Sequence, residues 1–278
     1  MAGSGGQLGR ALVERLGARV AWAGGREALD VRDAAAVRAR VSEAQPDVVI
    51  NATAYNKVDR AEAERDEAMA VNEGGPRNLA RAAADVGALL VHVSTNYVFD
   101  GAVRRPYTED DAVNPLGFYG LSKRAGEVAV MGAGAPHLIV RTSALFGRGR
   151  DPLAGANFVD RIVAGARSGV PLRVVNDQEV STTYAPDLAA AIVALVAAGG
   201  RGIFHVVNEG SCTWHALAVE ALRLAGLTTP VEPLTSEALA APARRPPYSV
   251  LSTERYRSRG LPPLREWRAA LADHLANV

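Results

Sequence analysis

Cysteines and long apolar runs are scarce in this sequence. Cys212 is the only cysteine, so no intrachain disulfide can form, and a single thiol in 278 residues fits a reducing cytoplasm. The longest apolar stretch, residues 185–200, contains Pro186 and Asp187 and is too short and too weakly apolar to span a bilayer. No signal peptide precedes the first motif. These absences predict a cytoplasmic protein without a membrane partner.

Charge of one sign does not predominate either. Lysine and arginine together number 31, aspartate and glutamate 30, and the two signs are interspersed, so no basic face for nucleic acid is indicated. Because 48% of the residues are apolar, the chain can bury a large core, in one long domain or in one domain with a smaller lobe.

Regularly spaced glycines stand near the start of the sequence. Gly3, Gly6 and Gly9 directly precede apolar residues with the spacing of one buried helix face. Glycines at such a turn let a pyrophosphate approach the helix N-terminus and let the helix pack closely on a sheet. The pattern predicts a dinucleotide-binding turn, with Gln7 and Leu8 beside the cofactor.

A strand is expected before this turn, but only Met1 and Ala2 stand there. In a doubly wound sheet that strand is central, buried on both faces, and about five residues long. We therefore expect these two residues to be too few for the slot. Either an apolar run upstream of Gly3 or another segment of the chain would cover it, and we favour the first.

Residues 19–26 bear on whether the cofactor is NADPH or NADH. Residues 19–23 have the pattern of a short strand, and Arg26 follows at the corner where such folds meet the adenine ribose. An arginine there, with no acid at the strand end, favours a 2′-phosphate and hence NADPH over NADH. A solvated surface arginine is an equally good interpretation. Asp30 and Val31 are expected to lie along the adenine.

Two predicted parallel strands deliver small and polar residues to one edge of the sheet. Residues 47–51 and 88–94 are apolar runs typical of strands buried on both faces. Open α/β sheets bind ligands at the carboxyl ends of their strands. His92 lies inside the second run and is interpreted as a core residue. The predicted lining is Ala52, Thr53, Ala54 and Tyr55 after the first strand, and Ser94, Thr95, Asn96 and Tyr97 at the end of the second.

The sequence Tyr-Gly-Leu-Ser-Lys at residues 119–123 is the strongest chemical signal. Tyr119 and Lys123 are four apart and share one face of a helix, where the ammonium can lower the phenol pKa from about 10. Such a tyrosine can donate a proton to a carbonyl near neutral pH. An isolated pair of this spacing is more often a surface feature, but the glycine turn and the two strand ends favour a catalytic role.

Together these segments resemble the extended short-chain dehydrogenase/reductases, and within them the dTDP-4-dehydrorhamnose reductase group of nucleotide-sugar 4-ketoreductases. The segments that carry the resemblance run almost the whole length of the chain: residues 3–9, 29–30, 51–55, 58–59, 62, 70–72, 94–101, 119–123, 141–143, 177–178, 184–187 and 244–246.

The resemblance and the order of the elements imply an α/β fold, a Rossmann-like doubly wound parallel sheet with a smaller C-terminal substrate lobe. The dinucleotide-binding domain is expected over residues 1–142, with residues 182–227 returning to it. The substrate lobe is expected over residues 143–181 and 228–278.

The resemblance also implies a reaction. A hydride would pass from NADPH, or NADH, to the C4 ketone of a dTDP-4-keto-6-deoxy sugar, and Tyr119 would protonate the ketone oxygen. Lys123 would bind the nicotinamide ribose and adjust the pKa of Tyr119, and Thr95 would hydrogen-bond the carbonyl oxygen. The residues implied to contact the nucleotide-sugar substrate are Asn96, Tyr97, Ser143, Arg244 and Tyr248. Arg244 and Tyr248, together with Arg245, are candidates for the diphosphate or else form a solvated basic turn.

Four departures from the family pattern concern the sugar pocket more than hydride transfer. Asn96 stands where relatives carry Asp, and Ala144 stands where the rhamnose enzymes carry a tryptophan that lines the sugar. Val180 and Thr182 replace Gly and Pro in a segment expected to close over the nucleotide sugar. These departures favour a nucleotide-sugar 4-ketoreductase in general over an enzyme specific for dTDP-4-dehydrorhamnose.

Two other functions remain open. A nucleotide-sugar dehydratase or epimerase shares the Tyr-Lys pair, but a dehydratase usually carries Asp-Glu after the threonine, where this chain has Asn96 and Tyr97. The regulatory subunit of methionine adenosyltransferase resembles the same group and binds NADP without catalysis, although the complete set of Thr95, Tyr119 and Lys123 argues against it.

Some relatives dimerise around magnesium through a carboxylate two residues past the third glycine. Ala11 stands at that position, so no metal is expected, while a homodimer remains open.

Overall fold

The computed structural model describes residues 1–149 and 157–277. Its helices are α1 Gln7–Leu16, α2 Ala34–Ala44, α3 Arg65–Met69, α4 Gly75–Asp85, α5 Phe118–Met131, α6 Phe158–Arg167, α7 Ala185–Ala197, α8 Trp214–Leu224, α9 Ser236–Leu239, α10 Glu254–Arg257 and α11 Trp267–Ala276. Its strands are β1 Val48–Asn51, β2 Leu89–Thr95, β3 His137–Thr142, β4 Leu145–Phe146, β5 Leu172–Val175, β6 Glu179–Val180, β7 Thr183–Tyr184, β8 Gly202–His205, β9 Cys212–Thr213, β10 Val231–Leu234 and β11 Tyr248–Ser249.

A parallel sheet in the order β1-β2-β3-β8 lies at the centre. Val91 of β2 stands opposite Ile50 of β1 on one side and Leu138 of β3 on the other. Because both faces and both edges of β2 and β3 are covered, these strands are almost continuously apolar. Parallel strands bring their carboxyl ends to one edge of the sheet, and that edge carries the functional residues.

Helices cover both faces of this sheet. On one face α1 packs against α7, and Leu12 and Ile192 are fully buried in the same apolar cluster as Val91. On the other face α2 packs against α4, where Val37 and Leu79 are buried. This is the doubly wound α/β architecture that the sequence predicts. Within the described residues, no helix is both long enough and apolar enough to cross a membrane.

Met1 and Ala2 themselves lie at the carboxyl end of the central slot and are too few to fill it, as expected. The amide of Ala2 donates to the Ile50 carbonyl at 2.9 Å, and the Ala2 carbonyl accepts from the Ala52 amide at 3.0 Å. On the other side, the Met1 carbonyl accepts from the Gly24 amide at 3.1 Å. Two residues are therefore enough to pair the carboxyl end of the slot, where the glycine turn begins.

The strand expected at residues 19–23 does not form. Gly17–Arg19 makes a 3₁₀ turn, and only Gly24 bridges to Ala2. A strand needs a partner along its length, and the central segment offers two residues. The remaining part of the slot is an apolar groove of about 600 Å³, which we call the N-terminal groove; it is lined in part by Val20, Trp22, Val48, Val49 and Val196.

Residues 60–74 form a run of short, irregular helical segments instead of one regular helix. Arg60–Glu62 is a 3₁₀ turn, α3 is five residues long, and a π-helix at Ala70–Gly74 leads directly into α4. The π-helix is rare in proteins, but where it occurs it often lies at a functional site. Here the wide turn carries Asn72, which is fully buried beneath the cavity described below.

The smaller lobe is built from α6, α8 and α11 with the parallel pair β5 and β10. Helix α8 was expected to return to the main domain with residues 182–227, but it packs against α6 and α11. Leu217 of α8 is buried in one cluster with Trp267 of α11, and Trp214 contacts Phe158 of α6 with ring centroids 4.8 Å apart. The apolar face of α8 thus belongs to the lobe, while α7 and β8 return to the sheet.

Candidate active site

A cavity of about 810 Å³ opens at the carboxyl edge of the sheet. Its walls include every residue that the sequence predicts for catalysis or for the cofactor, and Asn96, Tyr97 and Ser143 of those predicted for the substrate. The cofactor set comprises Gly3, Gly6, Gln7, Leu8, Arg26, Asp30, Val31, Ala52, Thr53, Ala54, Tyr55, Ser94 and Lys123, and the catalytic set Thr95, Tyr119 and Lys123.

The glycine turn leaves room for a phosphate group at the start of α1. Gly3 has a φ of +89°, and a Cβ on it would lie 2.7 Å from the Ala52 carbonyl carbon. A Cβ on Gly9 would lie 2.0 Å from the Gly3 oxygen, so only glycine lets α1 come this close to the turn. Gly5 faces open space, and Gly6 caps α1 without any side-chain bond. The partial positive charge of the helix N-terminus therefore fits a pyrophosphate.

The loop after β1 is held from below by buried polar side chains. Asn51 accepts the amide and the hydroxyl of Thr53 on its side-chain oxygen, at 3.0 Å and 2.6 Å. Its side-chain nitrogen lies 3.1 Å from Nδ1 of His92, which is fully buried. Burial and then the charge of Lys123 keep the pKa of His92 well below 6.5, so the ring is neutral and serves as a core acceptor, as predicted.

Asn72 joins this loop to the helix that carries Tyr119. Its side chain accepts the Tyr55 amide at 2.8 Å, donates to the Tyr55 carbonyl at 3.0 Å and donates to the Ser122 hydroxyl at 3.0 Å. Close packing is possible because Gly126 of α5 has no side chain; a Cβ there would lie 2.1 Å from the Asn72 carbonyl oxygen. The π turn therefore fixes the distance between the cofactor loop and α5.

Helix α5 places Tyr119 against Thr95. The first turn of α5 is capped from outside, because the Phe118 amide donates to the Glu62 carboxylate at 2.8 Å. Tyr119 forms a side-chain hydrogen bond with Thr95, whose hydroxyl also accepts the Tyr97 amide at 3.2 Å. Burial raises the pKa of Tyr119 to about 12, although the bond to Thr95 acts in the opposite direction. The phenol is thus protonated at neutral pH, as a proton donor has to be.

Lys123 does not lower the phenol pKa in the way that the four-residue spacing suggested. Its ammonium donates to the Val93 carbonyl at 2.7 Å, so it is directed at the end of β2. Burial lowers the pKa of Lys123 to about 8, and the charge of Glu127 opposes that shift. Tyr119 and Lys123 still border the same cavity, so both remain available to one bound cofactor and substrate.

A buried ion pair supports this lysine. Glu127, one turn further along α5, accepts two bonds from Arg141 of β3, both at 2.8 Å. Burial alone would raise the pKa of Glu127, but the bonds from Arg141 hold it below its usual range. Removing one partner of such a pair typically costs several kcal/mol, about 3 to 5, because the other charge stays buried.

Tyr97 and Asn96 frame the part of the cavity where the resemblance predicts the substrate. The ring of Tyr97 stands edge-on to Tyr119 with centroids 6.1 Å apart, and Asn96 donates to the Ser249 hydroxyl at 2.8 Å. Tyr97 also bonds to Arg245, whose guanidinium is held by two 2.9 Å bonds to Asp59. Arg245 is therefore the oriented arginine at this end of the site.

Arg244 and Tyr248 lie elsewhere than predicted. Arg244 is exposed and does not line the cavity. Tyr248 is buried in an apolar cluster with Phe99, because β11 pairs with β6 and turns that side chain inward. The neighbouring Arg245 is held by Asp59 and is less exposed, but it too lies off the cavity walls.

Small residues form the remaining wall. Ser143 is 3% exposed, and its hydroxyl has no partner among the described residues. Ala144, with a φ of +40°, lines the cavity where the family resemblance led us to expect tryptophan. Trp214 of the lobe borders the same cavity. Part of the neighbouring segment lies outside the described residues.

Three residues outside the predicted set shape the site, namely Asn51 as a support, Asn72 and Glu67. Asn51 and Asn72 carried a signal, since each is an asparagine at the end of an otherwise apolar run and within a segment of the resemblance. No sequence pattern indicated Glu67, because its role depends on the approach of α3 to the loop at residues 25–33.

The family model described as RmlD substrate binding domain matches residues 1–278 of this chain. A dTDP-4-dehydrorhamnose reductase from Streptomyces griseus is 47% identical, with 98% of this chain and 90% of the relative covered. A probable dTDP-4,6-dihydroxy-2-methyloxan-3-one 4-ketoreductase from Streptomyces antibioticus is 41% identical, with 99% and 94% covered. Both similarities extend over nearly the whole of each protein.

A solved structure gives the same result for the fold. The crystal structure of dTDP-4-dehydrorhamnose reductase from Bacillus anthracis, in complex with NADP, superimposes with a TM-score of 0.94. It is 35% identical to this chain, and 100% of this chain and 98% of that structure are covered.

Proposed function

This chain belongs to the RmlD substrate-binding family, and from that premise we propose that it reduces the C4 ketone of a dTDP-4-keto-6-deoxy sugar with NADPH. The observation that carries the proposal is the hydrogen-bonded pair of Tyr119 and Thr95 in the same cavity as Lys123 and the glycine turn. A proton donor, a second hydroxyl and a dinucleotide site then meet around one ketone.

The residues present fit the dinucleotide. The turn at Gly3 and the N-terminus of α1 would hold the pyrophosphate, Arg26 the 2′-phosphate, and Lys123 the nicotinamide ribose. Bound there, NADPH supplies the hydride.

The chain's own groups manage the proton and the charge on oxygen. Tyr119 is protonated at neutral pH and donates its proton as the ketone oxygen becomes an alkoxide. Thr95 would hydrogen-bond that oxygen by turning its single hydroxyl hydrogen away from Asn96 Oδ1, which accepts it at 3.2 Å. These donors are already positioned before charge develops, which is the condition for stabilising an oxyanion. At the other end, Arg245, fixed by Asp59, suits the diphosphate of the substrate better than the exposed Arg244.

The test is to follow NADPH absorbance with a panel of dTDP-4-keto-6-deoxy sugars. Turnover of one of them supports the reductase. Binding of NADPH without turnover of any, together with co-purification of a synthetase, would support the regulatory role instead. The dehydratase alternative is opposed by Asn96 and Tyr97, because neither is a carboxyl group of the kind that a dehydratase usually carries at these positions.

We further propose that the reaction takes place in the cytoplasm, since Cys212 is free and buried and suits a reducing compartment. A homodimer, which the resemblance left open, would be tested by sedimentation of the protein with and without NADPH.

Cofactor preference gives one prediction. We expect Arg26→Ala to narrow the preference for NADPH over NADH by about tenfold, because a charge-assisted contact to the 2′-phosphate is lost. The measurement is kcat/KM for each cofactor with a fixed keto sugar. Equal use of NADH and NADPH by the wild-type enzyme would contradict the role given to Arg26.

Ala144 gives a prediction on the sugar. Its methyl group leaves space where an aromatic ring would otherwise line the pocket, and the lost apolar contact is worth about 1 to 3 kcal/mol. We expect dTDP-4-dehydrorhamnose to be a poorer substrate, by kcat/KM, than a different and bulkier dTDP-4-keto sugar. The idea fails if dTDP-4-dehydrorhamnose equals or exceeds every other sugar in the panel.

A further inference from the structure

Four charged side chains meet at the corner of the cavity where the adenine ribose would lie. Arg26 Nη2 is 3.4 Å from Glu67 Oε1, and Arg32 Nη1 is 2.7 Å from Glu67 Oε2. Arg32 also binds both carboxylate oxygens of Asp30 through Nε, each at 2.9 Å. Arg26, Asp30 and Glu67 line the cavity. One carboxylate, Glu67, is thus shared between two guanidinium groups.

The two carboxylates play different parts. Asp30 and Arg32 neutralise one another, and the hydrogen bonds from Arg32 hold the pKa of Asp30 at about 2. Arg26 has Glu67 as its ion-pair partner, at the longest distance in the cluster, and its side chain is 68% exposed. The corner is therefore neutral overall, and Arg26 is the cation that a ligand can reach most easily.

We infer that Glu67 limits the preference for NADPH over NADH by competing with the 2′-phosphate for Arg26. This inference rests on the proposed reductase function and deepens it. A 2′-phosphate brings a charge of nearly −2 to a neutral corner and has to take Arg26 away from Glu67. A free 2′-hydroxyl brings no charge and can donate a hydrogen bond to the same carboxylate. Glu67 therefore opposes NADPH and favours NADH, while Arg26 does the reverse.

The position of Glu67 allows this role. It lies on α3, a helix of five residues, and its side chain is 35% exposed at the edge of the cavity. A partly exposed carboxylate near a bound phosphate still repels it, with an effect that weakens as salt screens the charges. A purely structural alternative is that Glu67 only ties the loop carrying Arg26 and Arg32 to α3, in which case both cofactors should be affected equally.

The decisive variant is Glu67→Gln, which keeps the shape and the ability to accept a hydrogen bond but removes the charge. We expect its Kd for NADPH to fall and its Kd for NADH to stay level or rise, so that their ratio shifts toward NADPH by about tenfold. The measurement is fluorescence of the reduced nicotinamide on titration with each cofactor at low salt, without substrate. The shift should shrink when the salt concentration is raised.

Asp66→Asn is the matched control. Asp66 is the exposed neighbour of Glu67 on the same helix, so the substitution changes the net charge equally without touching the corner. A control that shifts the ratio as much as Glu67→Gln would mean a general charge effect and overturn the inference. Equal changes in both Kd values for Glu67→Gln would overturn it in favour of the structural alternative.

A double variant tests whether Glu67 acts on cofactor choice through Arg26. If Glu67 acts by occupying Arg26, then Glu67→Gln should shift the ratio much less when Arg26 is already alanine. An undiminished shift would show that the two residues act separately and would overturn the mechanism. Failure of the wild-type protein to bind either cofactor is a different result, because it would contradict the reductase function itself.

Discussion

Replacing Tyr119 by phenylalanine should abolish reduction while NADPH still binds. The ring and its contacts are kept, including the edge-on packing with Tyr97, and only the hydroxyl that bonds to Thr95 is lost. A positioned general acid typically contributes between about 10²-fold and 10⁴-fold, so we expect kcat to fall by at least about 100-fold. The measurement is NADPH oxidation with the best keto sugar, paired with a fluorescence titration of NADPH.

Tyr256→Phe provides the control. Tyr256 is a buried residue of the apolar core and does not line the cavity. It should leave kcat unchanged. If the Tyr119 variant keeps more than about a tenth of kcat, a difference below about 1.4 kcal/mol, then Tyr119 is not the acid.

The position of the site followed from a simple rule. Thr53 and Thr95 were assigned to one cavity because each follows a buried parallel strand, and such strands end at the same edge of a sheet. The glycine turn and the pair Tyr119 and Lys123 were placed by their spacing. These are local patterns, and the structure places all of them on the walls of one cavity.

What the sequence did not predict depends on contacts between distant segments. The pKa of Tyr119 is governed by burial, and burial depends on segments far from it in the chain, including Tyr97 and the cluster around Tyr55. The choice of Arg245 over Arg244 depends on Asp59, almost two hundred positions earlier in the chain. Similarly, α8 joined the lobe because its apolar face meets Trp267, which no periodicity within α8 could indicate.

The N-terminal groove gives the second large prediction. Met1 and Ala2 pair with both neighbouring segments only at the carboxyl end of the central slot, and the apolar groove of about 600 Å³ continues from there. The amino group of Met1 stands at its end and donates to the Trp22 carbonyl at 2.7 Å. An extended segment of four or five β-branched residues, joined ahead of Met1, would bury its side chains there and pair with the exposed edges on both sides.

We expect this extension to raise both the melting temperature and the affinity for NADPH. The gain comes from burial of apolar side chains and from backbone pairing along β1, and each kcal/mol of it raises the melting temperature of a domain of this size by about 2 to 4 °C. The affinity for NADPH should rise because the glycine turn directly follows Met1 and Ala2 in the chain. An extension of equal length made of glycine and serine is the control, and at pH 8.5, where the Met1 amine is already neutral, it should change neither quantity.

The gain should also depend on pH, because any extension removes the buried amine of Met1, so the part due to the strand is the difference from the glycine and serine control at the same pH. Burial lowers the pKa of the Met1 amino group from 8.0 to about 6. The unfolded chain therefore binds more protons than the folded chain between these values, so the 278-residue form loses stability as the pH falls from about 8 to about 6. The extension replaces the amine by an amide and removes this loss. Its advantage in melting temperature should thus be greater at pH 6 than at pH 8.5. Equal melting of the apolar extension and the glycine and serine control at both pH values, with equal NADPH affinity, would show that the groove does not accept a strand.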